Sequence, residues 1–475
     1  MVVGSGLGGL ECARQLAAAG WSVQVLSPGR PGHDGATHRV HALAPWVLLT
    51  APWVRGDSPE RFLADLERRG EGQERFGLAE VLAAEAHDAA CRLLEELDLE
   101  RLDPQPVQLP GDEVPRGIRC LPRRRHVLLA PLISRCRQAG AVLVGRTLAA
   151  GLLVGDGRVA GVVAIDRRNN LVQNLAADAV VLACGGLGAV FPVATEPRWC
   201  RGSGVALAAA GGALLHRPEL TQALPVTATR PLYFPTSAAI VGGRVHVDGH
   251  GLAGARDLET ATREIADALA RGQGVWLEAA GAGEGELPLR VRRSPAFRHD
   301  GRIALTLALH HGIGGVAIDA WGRTSLPGLY ACGEAAGGVQ GRRRTMGTGL
   351  LEAAIFAGRV ARAVSHDAGR LGEARAAEVC APAVPGDVAR LEERLDALMG
   401  PLVALRPAGA VGGALRELEA WPSTNLAGAD SKAVLAGLRL RAAIEILRGE
   451  EQRGACRGAA VPLRPSAPED RSPVV

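Results

Sequence analysis

VVGSGLGGLECARQLAAAGWSVQVLS, residues 2–27, opens the chain and decides its fold. Val2 and Val3 run into Gly4, Gly6 and Gly9, spaced as G-x-G-x-x-G. Leu10, Ala13 and Leu16 then recur at helical spacing, Gly20 marks a stop, and WSVQVLS reads as a second strand. Strand, glycine turn, helix and strand make a βαβ unit. The glycines allow a tight turn and close approach of a pyrophosphate, which rests on the first amides of the helix. This pattern predicts dinucleotide binding. The second strand ends at Ser27, where a ribose-binding acid often stands. The first strand is a stub before Gly4, which suggests that residues are missing ahead of it.

Outward from this unit, residues 30–60 read as a loop rich in Gly, Pro, His and Trp. Helical periodicity follows, with Ser58 as a cap and Pro59 in the first turn. Residues 126–140 read as another helix. LLVGDGRVAGVVAID is a hairpin with a Gly-Asp-Gly turn, and AADAVVLACGG is a buried strand ending in glycine. This layout is that of a flavoprotein with a two-dinucleotide-binding fold. GSGVALAAAGGALL is a small-residue helix able to pack close to a cofactor. Prolines and mixed strand and helix signals set residues 216–307 apart as an insert.

The stretch His310–Glu352 returns to the first domain. Its strand LYACG ends at Glu334, which brings a carboxylate to a carboxyl-terminal strand edge, where open α/β sheets bind ligands. His310 and Arg344 flank it, and a histidine with a fixed cation suits an anionic substrate. Amphipathic helices then indicate a small helical domain, and the tail PLRPSAPEDRSPVV reads as disordered. The expected fold class is α/β: a Rossmann-like FAD-binding domain (1–215 and 308–370), an inserted α+β capping domain (216–307), a C-terminal helical domain (385–457) and a tail (458–475).

The totals exclude several classes. A length of 475 residues with 47% hydrophobic residues supports several packed domains. No apolar run is long enough for a transmembrane helix, and the chain enters its glycine motif with no signal-peptide pattern, so a cytoplasmic protein is expected. Nine scattered cysteines without a C-x-x-C pair argue against a metal site, a cluster or a disulfide framework. The net charge of +4 is small and the arginine clusters are local, which argues against nucleic acid.

The chain resembles the succinate dehydrogenase/fumarate reductase flavoprotein superfamily, and within it the L-aspartate oxidase branch, from about Val2 to Arg457. VLSPG followed by GAT is similar to the branch's second strand, which carries serine at the position of Ser27. ACGGLGAVFPVATEP and GSGVALAAAGGALL resemble A-T-G-G…T-x-P…G-D-G. HHGIGGVAIDAWGRTSLPGLYACGEAAGGVQGRRRTMGTGLLEA resembles H-Y-T-x-G-G…G-R-T…G-L-Y-A-x-G-E…G-x-H-G-A-N-R-x-x-S-N-S-L-L-E. The final helix resembles one ending in E-S-R-G-x-H.

The resemblance implies non-covalent FAD, held by Ser5, Gly6, Leu7, Gly8, the stretch from Ala36, Thr37 and His38 to Leu43, Ser203, Glu334, Gly349 and Leu350. It implies a small dicarboxylate substrate, L-aspartate or fumarate. Arg344 and His310 would hold its carboxylates, Thr236 would bind it, and Arg256 would be the acid/base group. It further implies oxidation of L-aspartate to iminoaspartate, reoxidation by oxygen or fumarate, a place in NAD biosynthesis through quinolinate, a quinolinate synthase partner, and a monomer or homodimer. The pattern departs at five places. The loop carrying E-G-G-H-S reads about CLPRRRH, and Q-G-G-I after the second strand becomes His41-Ala42-Leu43-Ala44. Q-F-H-P-T reads QALPVT, putting Leu224 where a substrate-binding histidine stands; G-D-G reads Gly202-Ser203-Gly204; S-N-S-L-L reads Gly347-Thr348-Gly349-Leu350-Leu351.

Overall fold

The computed structural model describes residues 1–43, 46–75, 77–109, 113–123, 128–229, 232, 234, 240, 244–252, 257–278, 301–369, 377–403 and 408–458. Thr236, Arg256 and the tail beyond 458 lie outside them.

Five parallel strands form the central sheet, in the order Leu329–Ala331, Val180–Leu182, Val2–Val3, Gln24–Leu26, Val142–Val144. Each is only two or three residues long; Leu329–Ala331, Val180–Leu182 and Val2–Val3 are wholly buried and mostly aliphatic, as a sheet covered on both faces requires, while Gln24 and Val142 begin the other two strands exposed. The helix Leu7–Ala18 buries Leu7, Leu10, Ala13 and Leu16 against it. The long helix Gly349–Asp367 packs beside that helix. Small residues set the approach: a Cβ on Gly8 would already touch Ala353 at 3.4 Å.

The hairpin Thr147–Gly155 with Arg158–Asp166 extends this domain into an antiparallel sheet. Its turn residues Asp156 (φ 50°) and Gly157 (φ 71°) are both left-handed, the geometry a two-residue turn needs to match strand twist. Ser58 caps the helix Pro59–Gly70, accepting from Arg61 N at 3.3 Å. The helix expected over 126–140 spans Ala130–Gln138.

Residues 30–60 differ from the expected loop. They hold a helix, Ala36–Leu43, and a strand, Val47–Thr50. The strand pairs with Gly117–Pro122, far along the chain, so local composition carries no sign of it. The helix is short and rich in Thr, His and Val, which are weak helix formers.

A second, antiparallel sheet has its own hydrophobic core with the helix Leu258–Ala270. Its strand Arg302–Gly312 pairs with Val275–Glu278 at one end and with Thr221–Thr227 at the other. This one strand therefore runs from the core of the inserted unit to Glu334, just past a central strand, where Gly312 N donates to its carboxylate at 2.8 Å. Opposite Gln222 and Ala223 the register slips: Gln222 faces His311 and Ala223 faces Leu309, so His310 occupies a bulge. Bulges re-aim side chains, and this one sits where the strand reaches the central cleft.

The helices Val388–Met399, Ala408–Glu419 and Ser431–Gly458 share a third core with Leu187, Val190, Phe191 and Leu309. Buried Arg439 donates to Val190 O at 3.0 Å and pairs with Glu392 and Asp396. Among the described residues no helix is long and apolar enough to cross a membrane.

Candidate functional site

A cleft opens at the carboxyl ends of the central strands, lined from the first glycine turn to Arg344. At its first end the three glycines divide the work. Gly4 has φ +112°, and a Cβ there would sit 2.1 Å from Ala183 O. A Cβ on Gly9 would sit 2.0 Å from Gly4 O, so this glycine serves helix–strand packing and does not line the cleft. A Cβ on Gly6 would meet only Thr37 Oγ1, at 3.6 Å. Protein does not fill that space, which leaves it for a ligand approaching the backbone. No side chain caps the helix at Gly6, so its first amides face the cleft with only a long contact, Leu7 N to Thr37 Oγ1 at 3.4 Å. Such an end is a ready anion site.

The acid absent from the second strand is supplied by Asp34. Its carboxylate accepts from Ser27 Oγ at 2.8 Å, from Gly29 N at 2.8 Å and from Arg30 N at 3.0 Å. Ser27 Oγ lies 2.7 Å from Ser5 Oγ, which accepts from Gly32 N at 3.0 Å. Ser5, Ser27 and Asp34 all line the cleft. This network shapes the wall where a ribose would lie.

Midway, the turn Gly333–Ala335 places Glu334 after its strand. Glu334 Oε1 accepts from Gly312 N at 2.8 Å, and His311 Nδ1 lies 3.1 Å from it. Glu196 reaches in beside it, its Oε2 accepting from Gly188 N at 2.8 Å. Gly188 belongs to the turn held by Arg439, so the C-terminal helices help to place Glu196. Burial and the neighbouring Glu334 push the Glu196 carboxyl well above the usual carboxylate range.

At the far end stand His310 and Arg344. His310 Nδ1 lies 2.9 Å from Thr195 Oγ1. Burial, with Arg344 nearby, pushes His310 down to about 3, so the ring is neutral at physiological pH. Burial, Arg344 and His310 do the same to His311. Arg344 donates from Nη1 to Gln222 Oε1 at 3.2 Å, while its Nε has no hydrogen-bond partner among the described residues. A buried guanidinium with a spare donor is suited to an anion. Burial lowers the Arg344 pKa against the pull of Glu352, Glu334 and Glu196. Gln340 holds Glu352 at 3.0 Å, and burial raises that carboxyl to about 7.

The structure thus gathers Gly4, Ser5, Gly6, Leu7, Gly8, Ser27, Ala36, Thr37, Ser203, Glu334, Gly349, Leu350, His310 and Arg344 around one cleft. Gly9 stands behind it. His38 is not in the lining; its ring packs edge-on against His33, with centroids 4.8 Å apart. Leu224 is buried and also outside the lining. Sequence reading missed Asp34, Thr195, Glu196 and Gln222. Thr195 and Glu196 lay in view, in the stretch ATEP. Asp34 sat in a segment taken for loop.

The uncapped helix end, the open space at Gly6 and the carboxylate beside Ser27 fit the pyrophosphate and ribose of a dinucleotide such as FAD. The family described as FAD binding domain matches residues 1–350. L-aspartate oxidase of Mesorhizobium japonicum is 31% identical over 77% of this chain and 74% of its own length. That of Streptomyces coelicolor is 32% identical over 78% and 69%, and that of Caulobacter vibrioides 33% over 70% and 67%. Among solved structures, a quinol-fumarate reductase with menaquinol molecules superposes with a TM-score of 0.77 at 19% identity, covering 95% of this chain and 90% of that one. Mycobacterium smegmatis Sdh1 in complex with UQ1 gives 0.72 at 22% identity, covering 94% and 84%. Fold and cleft define an FAD-dependent oxidoreductase. The chain belongs to the L-aspartate oxidase family, within the succinate dehydrogenase/fumarate reductase superfamily of flavoproteins.

Proposed function

We propose that this chain oxidises L-aspartate to iminoaspartate, with Arg344 and His310 holding the substrate. The observation that carries this reading is the buried Arg344, its Nε unpartnered among the described residues, beside a neutral imidazole in the cofactor cleft. Arg344 supplies a fixed positive charge and two faces of N–H donors for one carboxylate. Gln222 keeps the guanidinium in place through Nη1. Thr195 Oγ1 fixes the His310 ring through Nδ1 at 2.9 Å, which leaves Nε2 as the ring nitrogen available to a substrate carboxylate. Both groups orient the α-carbon hydrogen and exclude water from it. Bound FAD supplies the two-electron acceptor that takes this hydrogen as hydride. The amine releases a proton to water as the C=N bond forms; Arg256 is proposed as the acid/base group beside the substrate, and Thr236 as a further substrate contact. Reoxidation by oxygen or fumarate, a place in NAD biosynthesis through quinolinate, and a quinolinate synthase partner belong to the same reading.

A second reading, oxidation or reduction of another dicarboxylate, is favoured by one observation. Leu224 stands where the family pattern has a substrate-binding histidine. Anaerobic titration of the FAD-loaded protein separates the two. Bleaching of the flavin band by L-aspartate, and not by succinate, is the expected result. Bleaching by succinate alone would favour the second reading, and no bleaching by L-aspartate would overturn the first.

A further inference from the structure

We propose that Glu196 is a cofactor-binding residue and that it shares a single proton with Glu334, so that the middle of the cleft receives FAD with one negative charge rather than two. The geometry starts at Gly186. A Cβ on that glycine would lie 2.2 Å from Glu334 Oε1 and 2.8 Å from Glu196 Oε1. The two carboxyl oxygens therefore converge on one small space. Glu196 is 8% exposed, and its Oε1 has no hydrogen-bond partner among the described residues. Both residues line the cleft.

The groups facing the pair decide its charge. Glu196 Oε2 is held by the Gly188 amide and Glu334 Oε1 by the Gly312 amide, with His311 Nδ1 at 3.1 Å from Glu334 Oε1. Burial and Arg344 keep His311 neutral, so it brings no charge to the pair. The Cys200 thiol lies beside the pair and is pushed up by burial and by both carboxyls, so it stays protonated. The Arg344 guanidinium interacts with both carboxyls and more strongly with Glu352. One carboxylate oxygen of each residue and a His311 ring nitrogen all lie within 4.8 Å of one another, and like charges that close in a buried site disfavour a doubly charged pair, so we assign the proton to the pair. Adjacent residues of one segment thus serve the far end and the middle of the cleft: Thr195 meets His310, and Glu196 meets Glu334. In the family pattern G-D-G puts an acid at position 203; here Ser203 lines the cleft and the extra carboxyl stands at Glu196.

The consequence is a proton linked to cofactor binding. When the pair loses its last proton, a second negative charge faces the anionic FAD. Above that point the dissociation constant for FAD should rise about tenfold per pH unit, one proton being linked to each binding event. The test needs no substrate. FAD binding to apoprotein is followed by quenching of flavin fluorescence from neutral to alkaline pH, for the wild type, Glu196→Gln and Glu334→Gln. The wild type should show the alkaline limb, and both variants should lack it, because neither can acquire the second charge. Alkaline limbs in both variants parallel to that of the wild type would overturn the proposal. So would a flat wild-type profile. Glu334→Gln serves as the second variant if Glu196→Gln fails to fold.

Discussion

The two ends of the cleft are built from different materials. At the cofactor end the backbone does the holding: the amides after Gly6, the space above Gly6, and the packing of Gly9 on Gly4. At the end proposed for the substrate, side chains would do it: Arg344, paired with Gln222, and His310, paired with Thr195. A site made of backbone tolerates sequence drift. Ser27 lacks an acid, yet Asp34 sets a carboxylate against it. A site made of side chains does not drift so freely, because each lost partner leaves a buried polar group exposed to its full desolvation cost. Leu224, buried away from the lining, marks where the family pattern has already changed.

The contrast predicts the largest effect at the substrate end. Arg344→Ala should lower kcat/KM for L-aspartate by about 10²–10³-fold, the usual loss for one removed charge-stabilising donor. FAD should stay bound, because the cofactor end is untouched. A flavin that is lost along with activity would show that the two ends are one unit.

Two alanine variants sharpen the other side. Gly9→Ala drives a Cβ to within 2.0 Å of Gly4 O and should cost about 1–3 kcal/mol of stability or more, as overpacking does. Gly6→Ala meets nothing closer than 3.6 Å and should leave the melting temperature of the apoprotein unchanged, while weakening FAD by about tenfold or more, that is about 1.4 kcal/mol. Thermal melts with and without FAD separate a packing glycine from a binding one. Asp34→Asn keeps the side chain's shape and removes its charge. It should weaken FAD by about 1 kcal/mol, measured by the same fluorescence titration.

How much of this was legible follows from the same contrast. The glycine turn, the helix after it, the hairpin turn and the return at Glu334 are local patterns, and the sequence carries them in short stretches. Asp34 was not legible, because its role depends on the helix Ala36–Leu43 and the strand Val47–Thr50, whose pairing partner is remote in sequence. Glu196 was quoted as the variable position of a motif. Its meaning appears only when the bridge between Ala194 and Leu309 brings that segment alongside the strand carrying His310 and His311. His310 was singled out as a residue, but the bulge that aims it is a property of two strands, not one.

The smallest predicted effect comes from the neighbour of the residue with the largest. Arg343 pairs with Glu71 at 2.9 Å and with Glu259 at 2.7 Å, linking the loop of Arg344 to the helix Leu258–Ala270 of the inserted unit. Its own side chain is 43% exposed, against a buried Arg344. Exposed ion pairs contribute about 0.2–1 kcal/mol and are screened by salt. Arg343→Gln should therefore change kcat/KM by less than about fivefold, the factor matching the upper end of that range. Whatever change appears should shrink as ionic strength rises past the point where the screening length falls below the spacing of the charges. A salt-independent loss as large as that of Arg344→Ala would mean that Arg343 positions its neighbour. The boundary between binding side chain and solvated surface would then lie one residue further out than burial indicates.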